Sequence, residues 1–104
     1  LLINKYMEPQ VEPKEKHIPV IEKLEDNKVI VKVGAVEHPM TEEHFIEWIE
    51  LYKSGELVKH VDLKPSEKPE ATFEVEFESL DDLMAKEHCN LHGTWQSDKE
   101  EMVV

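Results

Sequence analysis

Arginine is missing from this chain of 104 residues: all twelve basic side chains are lysine. The planar fork that grips phosphates and carboxylates with two parallel hydrogen bonds is therefore unavailable. Positive charge is scarce as well. Twenty-four acidic residues give a formal net charge of -12 at pH 7, which repels phosphate backbones and anionic membrane surfaces. Neither nucleic acid nor membrane is an expected partner. The opening Leu1-Leu2-Ile3 has three apolar residues before Asn4, against about 7 to 15 for a signal-peptide core and about 20 for a membrane span. Cysteine is reduced to Cys89. A lone thiol forms no internal disulfide and fits a reducing compartment, so the cytoplasm is the expected location.

The length suffices for one core and not for two. Residues 1–14, with Pro9 and Pro13 among Glu8, Gln10, Glu12 and Lys14, have no hydrophobic period and read as an extended arm. Residues 15–104 are the expected domain. Five runs of strand length follow: Ile18 to Leu24, Val29 to Val33, Phe45 to Tyr52, Leu57 to Leu63, and Ala71 to Phe77. The last alternates apolar and polar residues with a period of two, as a strand with one buried face requires. Turn formers at Glu25-Asp26-Asn27, Lys53-Ser54-Gly55-Glu56 and residues 64–69 separate the runs at intervals typical of antiparallel all-β proteins. A small β-sandwich is expected. Ser79 to Glu87 suits a helical turn about as well as a strand, and strand is the reading taken.

Six histidines accompany the single cysteine, and most fall outside or at the ends of the expected strands. His17 precedes one strand, His38 and His44 flank the approach to another, and Cys89-Asn90-Leu91-His92-Gly93 forms a loop. Loops at one end of a sandwich can converge. Cys89-x-x-His92 alone is a weak motif, but four imidazoles and one thiolate would leave an octahedral position open. That suits iron rather than structural zinc, whose sites are closed by four ligands. His60 reads as a surface histidine, and His88 points away from Cys89 because neighbours in an extended segment face opposite sides. Trp48 and Trp95 read as core or site-wall residues. Glu42, Glu43, Glu47 and Glu50 read as a solvated face.

Four blocks carry a resemblance across residues 15–96: Glu15-Lys16-His17-Ile18-Pro19-Val20-Ile21-Glu22, Glu37-His38-Pro39-Met40, His44-Phe45-Ile46-Glu47-Trp48-Ile49-Glu50-Leu51, and Cys89-Asn90-Leu91-His92-Gly93-Thr94-Trp95. Together they resemble superoxide reductase, the desulfoferrodoxin and neelaredoxin family, in its one-iron form. Glu37 and His88 stand where the family often has proline and an aromatic residue. The resemblance implies an immunoglobulin-like antiparallel sandwich of seven strands. It implies a mononuclear iron with His17, His38, His44 and His92 as equatorial ligands and Cys89 as the axial one. It further implies that Lys16 attracts superoxide and that Glu15 acts as a removable ligand of the oxidised iron. The activity implied is reduction of superoxide to hydrogen peroxide without oxygen evolution, with a rubredoxin-like protein as electron donor and a dimer or tetramer as the assembly. Two other readings stand beside it: a blue-copper electron-transfer protein using Cys89, His92 and one further histidine, and a zinc-stabilised interaction module.

Overall fold

A computed structural model describes residues 16–97. It contains seven strands: β1 (Pro19–Glu25), β2 (Lys28–Val33), β3 (Ile46–Lys53), β4 (Glu56–Asp62), β5 (Glu70–Glu74), β6 (Leu83–Cys89) and β7 (Gly93–Gln96). They form two antiparallel sheets, β1-β2-β5 and β4-β3-β6-β7, the expected immunoglobulin-like sandwich. Alternation drives the pairing. Val29, Val31 and Val33 of β2 point inward with Ile21 and Phe73, and meet Ile46, Ile49, Leu51, Leu83 and Ala85 from the facing sheet. Each large aliphatic or aromatic side chain buried this way contributes about 1.5–3 kcal/mol.

Most strand ends fall within one residue of the sequence reading, and two stretches differ by more. The alternation of β5 continues through Val75 and Phe77, which pack against the core, but the strand ends at Glu74. Its partner β2 begins at Lys28, opposite Glu74, and the next amide, that of Val75, donates to the Asn27 carbonyl in the β1–β2 turn. The ladder stops because the neighbour turns away. The 79–87 segment divides: Ser79 Oγ accepts the Asp81 amide and caps a short 3-10 helix at Leu80–Asp82, and β6 starts at Leu83. Trp48, expected in the core or at a site wall, lies instead on the outer face of the four-stranded sheet between the rings of His60 and His88. The bulge that leaves Val58 without a partner opposite β3 kinks the exposed edge strand β4, a device that discourages edge-to-edge pairing.

The register fixes which end of the sandwich carries the chemistry. Pro19 at the start of β1 pairs with Val33 at the end of β2, and Ile46 at the start of β3 pairs with Cys89 at the end of β6. The segments holding His17, His38, His44 and His92 therefore all leave from one end. The Asp26–Asn27 and Ser54–Gly55 turns close the other. The expected arm at 1–14 lies outside the described residues. No helix among the described residues is long and apolar enough to cross a membrane.

Candidate metal centre

Each segment at the site end is held by its own local bonds. The Gly34 amide donates to the Ile18 carbonyl, tying the His17 segment to the turn after β2. Gly34 sits at φ +87°, in the region that favours glycine. The His44 turn is closed by Thr41, whose Oγ1 accepts the His44 amide at 3.1 Å and whose own amide donates to the His44 carbonyl at 2.9 Å. Asn90 clamps this turn to the cysteine loop. Its Oδ1 accepts the Phe45 amide, and its Nδ2 donates to the Glu43 carbonyl, both at 3.0 Å.

Four imidazoles then close a ring. Neighbouring centroids lie at 4.5 Å (His17–His38), 4.5 Å (His38–His44), 5.1 Å (His44–His92) and 4.8 Å (His92–His17), and His17–His44 spans the diagonal at 6.2 Å. Neighbouring ring planes are steeply inclined to one another. The nitrogens point inward: His17 Nε2 is 3.0 Å from His38 Nε2 and 3.2 Å from His92 Nδ1. Metal–nitrogen bonds of about 2.1 Å at right angles place adjacent donors about 3 Å apart, so the spacing fits a single ion. Cys89 Sγ stands 3.8 Å from His92 Nδ1. The donor atoms of His17, His38, His44 and Cys89 all fall within 4.8 Å of one another.

Protonation favours the same conclusion. His38 Nδ1 lies 2.6 Å from the Pro39 carbonyl, which can only accept, so Nδ1 carries the hydrogen and Nε2 presents its lone pair inward. Burial pulls the His38 pKa down to about 4, against the opposing pull of that carbonyl bond, and the three other rings lower it further. The ring is neutral at pH 7. His44 is likewise held below the usual range, first by burial, then by His92 and Lys16. Its Nε2 is buried without a hydrogen-bond partner, a cost that a bound cation would remove. Burial pushes the Cys89 thiol up, while backbone hydrogen bonds from Leu91 and His92 favour the thiolate and Glu87 and Glu47 oppose it.

A family profile described as desulfoferrodoxin matches residues 10–98. The chain belongs to the desulfoferrodoxin family. It is similar to a desulfoferrodoxin homolog of Archaeoglobus fulgidus, 54% identical over 86 residues that cover 83% of this chain and 65% of that protein. The superoxide reductase of Pyrococcus horikoshii is 39% identical over 98 residues, covering 81% of this chain and 85% of its own. Among solved structures, the superoxide reductase of Treponema pallidum superposes with a TM-score of 0.68 at 44% identity, covering 82% of this chain and 66% of that one. The chain spans just under two thirds of the length of two curated desulfoferrodoxins it matches, 65% and 64%.

In this desulfoferrodoxin-family chain the structure brings together all five histidine and cysteine candidates from the sequence. Lys16 is half-buried beside them and lines a cleft of about 530 Å³ with Glu37, His38, Met40 and Lys68. Glu15 lies outside the described residues. Asn90 and Glu87 are contributors that the sequence does not reveal, while Trp95 is the site wall that the sequence reading allowed. Asn90 has a bridging role that only tertiary contact reveals. Trp95 stacks on His17 at 5.2 Å and donates from Nε1 to the His92 carbonyl at 3.1 Å, so it is a site wall that also holds a loop. Glu87 is fully buried with neither carboxylate oxygen bonded. Its one sequence signal is its inward position in the alternation of Leu83, Ala85, Glu87 and Cys89.

The Asn90 clamp makes a direct prediction. Asn90→Ala removes two bonds between the His44 turn and the cysteine loop, and should cost about 1–3 kcal/mol. Metal affinity should fall about 10- to 100-fold, the usual price for losing a ligand-orienting contact. Urea midpoints and competition with a chelator measure the two; an unchanged affinity would show that the loop holds its place without Asn90.

Proposed function

We propose that this chain would hold one iron through His17, His38, His44, His92 and Cys89, and would reduce superoxide to hydrogen peroxide there. The observation that carries this reading is the closed ring of four inward-pointing imidazoles with a thiol beside it. Five donors exceed the tetrahedral four of structural zinc and the three of a blue-copper site. Membership of the desulfoferrodoxin family and similarity to proteins named superoxide reductase support it.

When bound, the metal supplies the one electron that, with two protons, converts superoxide to hydrogen peroxide. The remaining work belongs to the protein. The histidines must be neutral and the cysteine deprotonated to bind: burial favours neutral His38, the Pro39 carbonyl fixes its tautomer so that Nε2 faces inward, and the loop amides favour the thiolate. Superoxide is an anion approaching a chain of net charge -12, so a local positive charge is needed near the site, and Lys16 supplies it. Glu15 is assigned the removable sixth ligand. A rubredoxin-like protein returns the electron after each turnover. A dimer or tetramer in the cytoplasm is the proposed working form.

Oxidised protein should contain about one iron per chain and show a visible charge-transfer band from thiolate to ferric iron, which bleaches on adding superoxide. Cys89→Ser keeps the size and removes the sulfur. The band should vanish and superoxide consumption should fall at least about 10- to 100-fold, since disturbing only a ligand's partner costs that much. A serine variant that consumes superoxide at the native rate would sink the assignment.

A further inference from the structure

The five candidate ligands are unequal in exposure. His17, His38 and Cys89 are buried, His44 is half-buried, and His92 is exposed. His92 is thus the ligand that presents an imidazole edge to solvent. Next to it stands Leu91, 61% exposed and the most exposed large hydrophobic residue among those described.

The surroundings are electrically unusual for this chain. Residues 88–97, His88-Cys89-Asn90-Leu91-His92-Gly93-Thr94-Trp95-Gln96-Ser97, form its longest stretch without Asp, Glu or Lys, in a protein that carries 36 such residues. The stretch also contains β7, which is an edge of the four-stranded sheet. Asn90, Thr94 and Gln96 are exposed along it. Its acidic neighbours include Glu43, whose carbonyl binds Asn90, and Glu47, whose carboxylate faces His88. An acidic partner is repelled by most of this surface and least by this loop.

We propose that the reducing protein docks on the loop 90–93 and the β7 edge, with Leu91 as the apolar anchor, and that its electron passes through the exposed edge of His92. The inference rests on the metal-centre reading given above. The partner it fits is a small one-electron carrier whose redox group lies behind an apolar, weakly charged patch. Small interfaces, under about 1,200 Å², are normal for transient redox pairs, so one apolar anchor with a neutral rim suffices. The step balances simply: the carrier loses one electron, the ferric centre gains it, and no bond or proton is exchanged.

The test uses the iron-loaded, oxidised chain and reduced rubredoxin as the probe. Leu91→Asp is compared with Leu57→Asp, which places the same charge on the equally open β4 edge, where Leu57 is 52% exposed. Stopped-flow oxidation of rubredoxin should slow at least about tenfold in the Leu91 variant, and calorimetry should show affinity weakened by a similar factor, as loss of an anchor predicts. Leu57→Asp should change neither by more than about twofold, the level of a peripheral contact. Leu91→Ser, which adds no charge, should still slow rubredoxin. Its pre-reduced form should react with superoxide at the native rate. Equal slowing by both aspartates, no slowing by Leu91→Asp, or no reduction of the native chain by rubredoxin would each overturn the proposal. If rubredoxin oxidation behaves as expected while superoxide fails to oxidise the centre, the docking site stands and the proposed activity falls.

Discussion

Replacing Glu87 by glutamine should remove a loss of stability that develops between pH 4.5 and about 9 in the metal-free protein, and raise stability at pH 7 by up to about 3 kcal/mol. The carboxyl group is fully buried without a hydrogen-bond partner, and burial pushes its pKa up to about 9 from an ordinary 4.5. The unfolded chain ionises it at the ordinary value. Below pH 4.5 both states hold the proton and nothing is lost. As pH rises from 4.5 to 9 the unfolded state releases the proton while the folded state keeps it, so stability drains away across that window and levels off above it. Glutamine has nearly the same shape and no proton to lose. His38 has the opposite dependence: its pKa is depressed from 6.5 to about 4, so its contribution is present above 6.5 and lost on acidification. Because His38 is common to both proteins, the difference between their urea stabilities isolates Glu87. Curves that stay parallel from pH 5 to pH 9 would mean that the carboxylate finds a partner or water in solution.

Gly34→Ala should be the most damaging single methyl that can be added to the site end. A Cβ at this position would lie 2.5 Å from the Lys16 carbonyl oxygen and collide with that of Val36. Both are backbone atoms, one beside His17 and the other two residues from His38. Relief of the clash must therefore pull two candidate ligands apart. The positive φ adds strain of its own, about 1–3 kcal/mol for a residue other than glycine. A loss of at least about 2 kcal/mol in the metal-free protein and at least about tenfold in iron affinity is expected. Gly55→Ala is the control, since it shares the positive φ, at +85°, but its Cβ would meet nothing within 4 Å. It should lose stability and keep its iron. Equal behaviour of the two variants, in urea titration and in chelator competition, would show that the site tolerates the displacement.

These residues mark how far the sequence could be read. The period of two in β5, the turns at Asp26–Asn27 and Ser54–Gly55, and the histidines at strand ends are local patterns, and local patterns survive in a one-dimensional string. The seventh strand, Gly93–Gln96, carries too few residues to declare a period and becomes a strand only through its partner β6. Trp48 looked like core because it is large and apolar, yet the alternation of β3 places it outward with Glu50 and Tyr52. There His60 is bound on both ring nitrogens, to Glu50 at 2.8 Å and Asp62 at 2.7 Å. The surface reading of His60 was right about exposure and silent about those partners. The candidate ligands were legible as residue types in loops. Their closure into a ring was not, because it depends on contacts such as Asn90 with Phe45, 45 positions apart.

His17 and His92 touch across 75 positions of chain, and that distance sets an order of events. Neither hairpin can present more than part of the ring by itself, so the ring exists only after the two sheets have closed on each other. Metal uptake should therefore trail collapse of the sandwich rather than nucleate it, unlike a zinc finger, where the ion organises the chain. A nascent or partly unfolded chain would hold a metal ion weakly and release it, which makes retention of the ion a report on completed folding.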